Sequence, residues 1–582
     1  MKSKSEYNMT HEDLVFATIM LPLLGSALAL FGKLSKQPTI SSWWNAIGSC
    51  VGLALPWGPL ILLAPIVLQG QEIVGVVGNW HVTIGITYTY DGLAWLIQIL
   101  GYTIGGAAWI YSLGGGPKGN TFTAIFLIQT GALAATILTT DLFNLFVCLE
   151  VLGITSYVLI PTSKKPGASL AAFSYLMVSA TAMVLFLLGT YALYRITGSL
   201  AYNQIAQGLR DLEGNQQIVS LMALALIVSA IAIRVAVMPL YGWLPDAHAL
   251  APHAVSAVLS GVLIKTPLFA LTRVLHLFPS GNEVGSLISI AGAVTAVVAV
   301  IIALSQQDVK QLLAYHSISQ IGYITAAWGA AISIGTSNSA GVTLMTAAYL
   351  HALFHALFKG LLFLSVGTTV DVCGNRNVYT LRRGAKALRS VGERLPITTI
   401  TFLIGALAIS AIAPLNGAVS KQIITTGMKG SVHYYLLSAA AVGTVASFIK
   451  LSRIFFGGAT TNDNLPIRIR HRHLRSRWIA QSILALLCIL TGVFATKVVP
   501  STAKILFPQA SLEMNITYGF SADMIIKTGS TVALGVLVYL AMHLKVVKHL
   551  LNLIRSRYRD FTGLFVSFSL GTAALAIYLI LV

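Results

Sequence analysis

His351, His355 and Lys359 recur every four residues within YLHALFHALFKGLLFL, a stretch apolar enough for the interior of a bilayer. On a helix turning about 100° per residue they share one side and climb roughly 12 Å of axis. An ionisable group at the centre of a bilayer costs roughly 3 kcal/mol or more, so such groups are rarely kept without a use. Others stand in similar surroundings. Glu150 lies near the middle of DLFNLFVCLEVLGITSYVLI, Arg234 lies five residues ahead of Pro239, Lys265 ends SAVLSGVLIK, and Lys421 follows Pro414 in LAISAIAPLNGAVSKQIITT. Burial disfavours the charged form of acids and bases alike, which brings both towards a range where a proton can be held and released. One acid, several basic groups and two histidines strung across a membrane are the ingredients of a proton relay.

Each residue also has a plainer reading. Glu150 is either a relay acid or one half of a structural ion pair with Arg234 or Lys265. His351 and His355 are either relay groups or core histidines bonded between helices; Lys359 on the same face favours the relay. A metal site is the weaker alternative, because HxxxH lacks the glutamate of a zinc protease and has no carboxylate close by in sequence. Lys421 either works beside its proline break or snorkels to an interface. Asp246, His248 and His253, in WLPDAHALAPH, either line a polar funnel from the inner face or cap a loop.

The elements that must hold these groups are membrane helices. Of 582 residues, 56% are hydrophobic and only 9% charged, and the mean hydropathy is +0.80. That balance excludes a soluble globular protein, and the apolar runs are too continuous for a β-barrel. About sixteen spans are predicted from apolar runs of membrane-crossing length. They start near residues 14, 44, 92, 121, 141, 169, 217, 251, 284, 311, 341, 395, 432, 478, 523 and 561. The polar N-terminus lacks an obvious cleavage site and reads as retained.

The net charge of +19 is placed by topology rather than for nucleic acid. With the N-terminus outside, odd-to-even loops carry Lys33, Lys36, Lys118, Lys164, Lys165, Lys310, the run Arg376 to Arg394, and the stretches Ile467 to Arg477 and Lys545 to Arg559. The opposite loops carry few basic residues, such as Arg210, Lys429 and Lys504. This is a positive-inside pattern, with docking of a partner or of anionic lipid as a secondary role. The chain has four cysteines and none forms a CxxC pair, and no glycine-rich nucleotide motif occurs. No metal, cluster or cofactor is expected in this chain.

Residues 72–92 break the helical pattern and predict a β-hairpin on the outer face. SLAYNQIAQGLRDLEGNQQ, after the sixth span, reads as a surface helix or a plain loop. Two spans look broken, one at Pro239, Pro245 and Pro252 and the other at Pro414 and Gly417. Proline frees backbone carbonyls, which survive at membrane depth only inside protein or against a wet cavity. Paired breaks in two halves point to inverted repeats. The resulting division is 1–120 for the first three spans and hairpin, 121–280 and 281–456 for two repeats, and 457–582 for a basic cytoplasmic loop and C-terminal spans.

The stretch PLYGWLPDAHALAPHAVSAVLSGVLIKTPLFALTR resembles the antiporter-like membrane subunits of respiratory complex I, a family shared with energy-converting hydrogenases and Mrp cation/proton antiporters. QQDVKQLLAYHSISQIGY, HALFHALFKGLLFLSVG and APLNGAVSKQ are similar to further blocks of it, and the resemblance covers residues 10 to 460. It implies an all-α polytopic fold: about fourteen core helices in two inverted five-helix repeats, broken seventh and twelfth helices, and here about two extra C-terminal helices. It implies that Glu150, Lys265, His355, Lys359 and Lys421 are the ionisable relay positions. Arg234 departs from it, since lysine is usual there and arginine does not readily give up its proton. The implied function is a proton-translocating, or cation/proton-translocating, subunit of a multi-subunit redox complex in a prokaryotic plasma membrane, its partners being other membrane subunits, protons and possibly sodium. The alternatives are the large subunit of an Mrp-type sodium/proton antiporter without redox chemistry, and a scaffold that has kept the fold.

Overall fold

The computed structural model describes residues 10–80, 85–210, 212–279, 281–457, 474–509 and 522–557. In chain order the spans are His11–Leu34, Pro38–Leu68, Gly92–Leu113, Asn120–Leu138, Leu142–Ser163, Ala168–Thr197, Asn215–Val235, His253–Leu275, Gly281–Ser305, Val309–Ile334, Ser339–Cys373, the pair Ile397–Ile409 and Asn416–Gly427, Val432–Ser452, Leu474–Val493 and Ala522–Ala541. They are called the first to fifteenth spans below. The protein is an all-α polytopic membrane protein. The sixteenth expected span, near residue 561, lies outside the described residues, as do residues 467–473 of the basic stretch.

Twelve of these helices are long and apolar enough to cross a membrane by themselves, or thirteen with the bent pair at the C-terminus. The shortfall against the sequence count falls on the tenth and twelfth spans. The tenth has 26 residues but turns Lys310, His316, Ser317 and Gln320 to one side. The twelfth is split into pieces of 13 and 12 residues, each too short to cross about 30 Å of hydrocarbon alone.

Four of the eighteen carboxylates cap helix starts. Asp91, Asp141 and Asp308 accept from backbone N–H groups in the first turns of the third, fifth and tenth spans, at 2.7 to 2.9 Å. Thr10 and Asp13 form a capping box on the first. Each cap is worth about 1 kcal/mol. Two strands, β1 (Ile73–Val76) and β2 (Thr87–Tyr90), pair antiparallel with Ile73 opposite Tyr90, and a short helix, Tyr202–Gly208, follows the sixth span.

The ninth and tenth spans approach through glycines. A methyl group on Gly292 would sit 2.4 Å from the Ala326 nitrogen, and one on Gly322 2.4 Å from the Ala296 nitrogen. Small residues let two helices pack backbone to backbone where lipid offers no hydrophobic drive.

Besides a π-turn at Cys50–Ala54 in the second span, three spans are irregular. The seventh ends at Val235; Ala236 then takes φ 60° before Pro239, and a short helix, Leu244–Leu250, follows. The twelfth repeats the device, with Ala411 at φ 59° before Pro414. The third irregularity is in the eighth span, where a π-turn at Leu259–Leu263 precedes Lys265 and Pro267. Pro267 has no N–H for the carbonyl four residues back, and its ring crowds that carbonyl.

Two charges assigned to loops belong inside. Lys310 is fully buried, and its ammonium donates to the Ala251 carbonyl at 2.6 Å and to Ser256 Oγ at 2.8 Å. Arg477 is likewise buried and pairs with Asp371 at 2.9 Å. Positive-inside counting reads where a charge stands in the chain; here the first turn of a helix carries it into the bundle.

Candidate functional site

Glu150 and Arg234 meet between the fifth and seventh spans. Arg234 Nη2 lies 3.1 Å from Glu150 Oε1, Nη1 donates to the Leu149 carbonyl at 2.8 Å, and Nε faces Met183 Sδ at 3.1 Å. The guanidinium thus grips a carboxylate and a carbonyl of one helix turn. Its side chain is 3% exposed and that of Glu150 27%. Tyr157 stands edge-on to Tyr175, and Tyr175 stacks on Trp243 at 4.0 Å. Trp243 in turn donates to the Ile233 carbonyl at 2.8 Å, in the last turn of the seventh span. Sequence left open whether Glu150 pairs; the geometry pairs it.

Lys265 is fully buried. Its ammonium donates to the carbonyls of Ser260, at 2.8 Å, and Gly261, both inside the π-turn. The irregular turn that Pro267 imposes therefore supplies the acceptors. Ser260 Oγ meets Ser317 Oγ of the tenth span at 2.7 Å.

On the eleventh span, His351, His355 and Lys359 share one face, as their spacing requires, and all three are fully buried. His351 is held on both sides, by Ser420 Oγ at 2.9 Å and Gln320 Oε1 at 3.2 Å. His355 stacks on it with ring centres 6.3 Å apart, and neither of its nitrogens has a protein partner among the described residues. Lys359 donates to the Leu313 carbonyl of the tenth span and lies over the Phe363 ring.

Lys421 is 4% exposed, so it does not snorkel. It turns back to the break of its own span, donating to the Ile409 carbonyl at 2.7 Å, with Tyr323 beneath at 4.7 Å. Lys265, Lys359 and Lys421 share one trait: among the described residues each bonds only backbone carbonyls, and no carboxylate balances any of them. The groups of the eighth, tenth, eleventh and twelfth spans thus form one basic row, and the Glu150–Arg234 pair stands on the fifth and seventh.

The access residues separate. Asp246 is exposed and accepts from Gln311 at 2.9 Å. His248 is buried, one nitrogen on the Leu244 carbonyl at 3.0 Å. His253 Nε2 lies 3.0 Å from Asp371 Oδ1, while Asp371 Oδ2 takes Arg477, so one carboxylate ties the eighth, eleventh and fourteenth spans together. Close by, between the fifth and sixth spans, burial and then the Arg376 guanidinium pull Lys165 below the ordinary lysine range. Pro239 and Pro414 sit at the two breaks.

Sequence reading missed His316, Gln320, Asp371 and Lys450. His316 is fully buried against Phe448, with no protein partner for either nitrogen among the described residues. The signal was present: at helical spacing Lys310, His316, Ser317 and Gln320 fall on one face.

Broken helices that surround a buried row of uncompensated basic groups define an ion-handling class of membrane protein. The family described as NADH:quinone oxidoreductase/Mrp antiporter, transmembrane, matches residues 139–449, more than half of the chain, and the chain belongs to that family. It is 28% identical to an NADH-quinone oxidoreductase subunit of Desulforudis audaxviator, over 75% of this chain and 86% of that one. It is also 28% identical to a Na(+)/H(+) antiporter subunit of Alkalihalophilus pseudofirmus, over 76% of this chain and 86% of that one. The fold matches the Mrp complex of a Dietzia species with a TM-score of 0.74 at 21% identity, covering 86% of this chain and 97% of that one.

Proposed function

We propose that this chain is a proton-translocating membrane subunit of a multi-subunit redox complex. Its relay runs through Glu150 and Arg234, Lys265, the His351–His355–Lys359 face and Lys421. The observation that carries the reading is the row of buried lysines whose acceptors are carbonyls rather than carboxylates, with the buried histidines His351 and His355 beside them. An amine held this way gains little from staying charged, so its proton is available to a neighbouring amine or imidazole. His355, with both nitrogens unengaged among the described residues, is the group through which Lys265 and Lys359 exchange. Arg234 stays charged and orients Glu150 rather than carrying a proton.

In this reading the redox chemistry, with its cofactors, sits in partner subunits; protons enter from the positively charged side past Asp246, His248 and His253; the N-terminus faces outside a prokaryotic plasma membrane; and the two breaks mark two inverted repeats, 121–280 and 281–456. Sodium/proton exchange without redox chemistry is the second reading, favoured by the likeness to the Na(+)/H(+) antiporter of Alkalihalophilus pseudofirmus. Inverted membrane vesicles separate the two. Acidification that needs an electron donor supports the first, and sodium-driven proton movement without a donor supports the second. A reconstituted complex with Glu150→Gln should assemble and lose most proton movement; unchanged pumping would overturn the relay.

A further inference from the structure

At the end of the bundle where the ninth and thirteenth spans finish, a second set of cations gathers that the row does not use. Lys450 donates to the carbonyls of Leu304, at 2.8 Å, and Gln306, at 2.6 Å, and lies 4.9 Å over the Tyr379 ring. Arg453 donates to the Tyr539 hydroxyl of the fifteenth span at 2.9 Å. Arg382, in the loop after the eleventh span, bonds the carbonyls of Val378 and Leu381 through Nη1, at 2.6 and 2.8 Å. Arg555 reaches the Gln307 side-chain oxygen.

These groups act on one another. Tyr379 feels Arg555, Tyr539 and Arg382. Burial, and then the charge of Arg453, pulls Arg382 below the ordinary guanidinium value. Among the described residues no carboxylate pairs with any of the three arginines. Among the described residues these guanidiniums, brought together from separate segments, have no acid between them, an arrangement that suits an anion.

The depth of the cluster is set by the last described helix, Lys545–Arg557, which turns 87° from the span before it. At about 100° per residue its apolar residues, Val546, Val547, Leu550, Leu551, Leu553 and Ile554, fill one arc. Lys545, Lys548, His549 and Arg555 fill the other. Val546, Leu550 and Leu553 are exposed. Leu551 packs on Val300, Leu304 and Ala446, which seats the helix on the bundle. A helix so divided lies in the membrane interface. Arg555 and the cations beside it therefore stand at headgroup depth.

We propose that Arg382, Arg453 and Arg555, with the hydroxyls of Tyr379 and Tyr539, bind a phosphate group, supplied by the headgroup of an anionic phospholipid. The guanidinium fork matches phosphate oxygens in a bidentate way, and a tyrosine hydroxyl adds a donor. Topology alone asks only for positive charge on one side. It does not ask for three arginines from three segments to converge on two tyrosines.

The test is native mass spectrometry of the full-length protein in neutral detergent with equal amounts of phosphatidylglycerol and phosphatidylcholine. Wild type should retain phosphatidylglycerol selectively, with retention falling about fivefold for each of Arg382→Gln and Arg453→Gln. Arg475→Gln, an exposed arginine outside the cluster, should leave the preference intact. Inorganic phosphate forms a separate arm: if it alone raises the melting temperature as much as the lipid does, and both effects vanish in the variants, phosphate recognition stands and its source is soluble. No lipid preference in wild type, an undiminished preference in the double variant, or an equal loss in Arg475→Gln overturns the site. If the double variant fails to fold, wild type still decides, because a preference that persists unchanged at high salt is not held by arginine–phosphate contacts.

Discussion

Replacing Arg234 tests the pairing of the first half of the chain most sharply. Arg234→Ala removes the charged contact to Glu150 and the bond to the Leu149 carbonyl. Breaking a buried pair by deleting one partner costs about 3–5 kcal/mol. Glu150 is 27% exposed, so part of its charge is relieved by its surroundings, and a loss of about 2–3 kcal/mol is the working figure. Arg234→Lys keeps a positive charge, but a single ammonium on a shorter stem cannot meet the carboxylate and the carbonyl as the fork does. One hydrogen bond is then lost, worth about 1 kcal/mol. The order of stability should be arginine, lysine, alanine. Proton flux should fall steeply in Arg234→Ala and hold in Arg234→Lys, where the charge beside Glu150 survives. The assay pairs thermal unfolding in one detergent with fluorescence-quench measurements of proton movement after reconstitution. An Arg234→Ala protein as stable and active as wild type would refute the reasoning, and an Arg234→Lys protein less stable than Arg234→Ala would refute the account of the fork.

Lys265→Met should abolish proton movement without lowering the melting temperature, because it removes an ammonium that no carboxylate balances; a large destabilisation would show that the lysine is structural. His351→Leu should cost about 2 kcal/mol, since it strands Ser420 and Gln320 inside the protein. His355→Leu should cost less in stability while stopping flux, and the two melting curves compared side by side check this. Glu393, in the loop before the twelfth span, is buried with one carboxylate oxygen unpaired, and burial raises its pKa against the opposing hydrogen bond from Thr398. An acid whose folded pKa is raised contributes fully below its ordinary pKa and loses that contribution as pH climbs through the folded value. Glu393→Gln should therefore flatten the fall in melting temperature above pH 4.5; an unchanged slope would exclude Glu393 as its source.

Much of this was legible because membranes enforce simple rules. Apolar length located the fifteen described spans, and the four-residue spacing gave the shared face of His351, His355 and Lys359. Pro239 and Pro414 marked both breaks. What stayed hidden depends on contact between distant segments. Nothing in sequence pairs Asp371 with both His253 and Arg477, which lie 118 and 106 positions away. Lys310 read as a loop charge because it stands beside Asp308 at a helix start, and only packing against Ser256 shows that it points inward. The π-turn in the eighth span was missed although Pro267 announced it. A proline two residues after a lysine reads equally well as a plain kink, and only the backbone shows that the slack is taken up one turn earlier, around Ser260 and Gly261.

The irregular backbone and the buried lysines are one device. A regular helix engages its carbonyls with its own N–H groups, so a cation must share one of them, as Lys359 does at the Leu313 carbonyl. In the eighth span the π-turn leaves Ser260 and Gly261 to Lys265. In the twelfth the break leaves Ile409 to Lys421. Neutral carbonyls stabilise an ammonium less than a carboxylate does, yet accept its hydrogens well enough that a deprotonated amine is not the only affordable state. A carboxylate in either place would fix the charge, and an unbroken helix there would offer only carbonyls already engaged by its own N–H groups. The breaks thus keep Lys265 and Lys421 between the two, the condition under which a proton can arrive and leave.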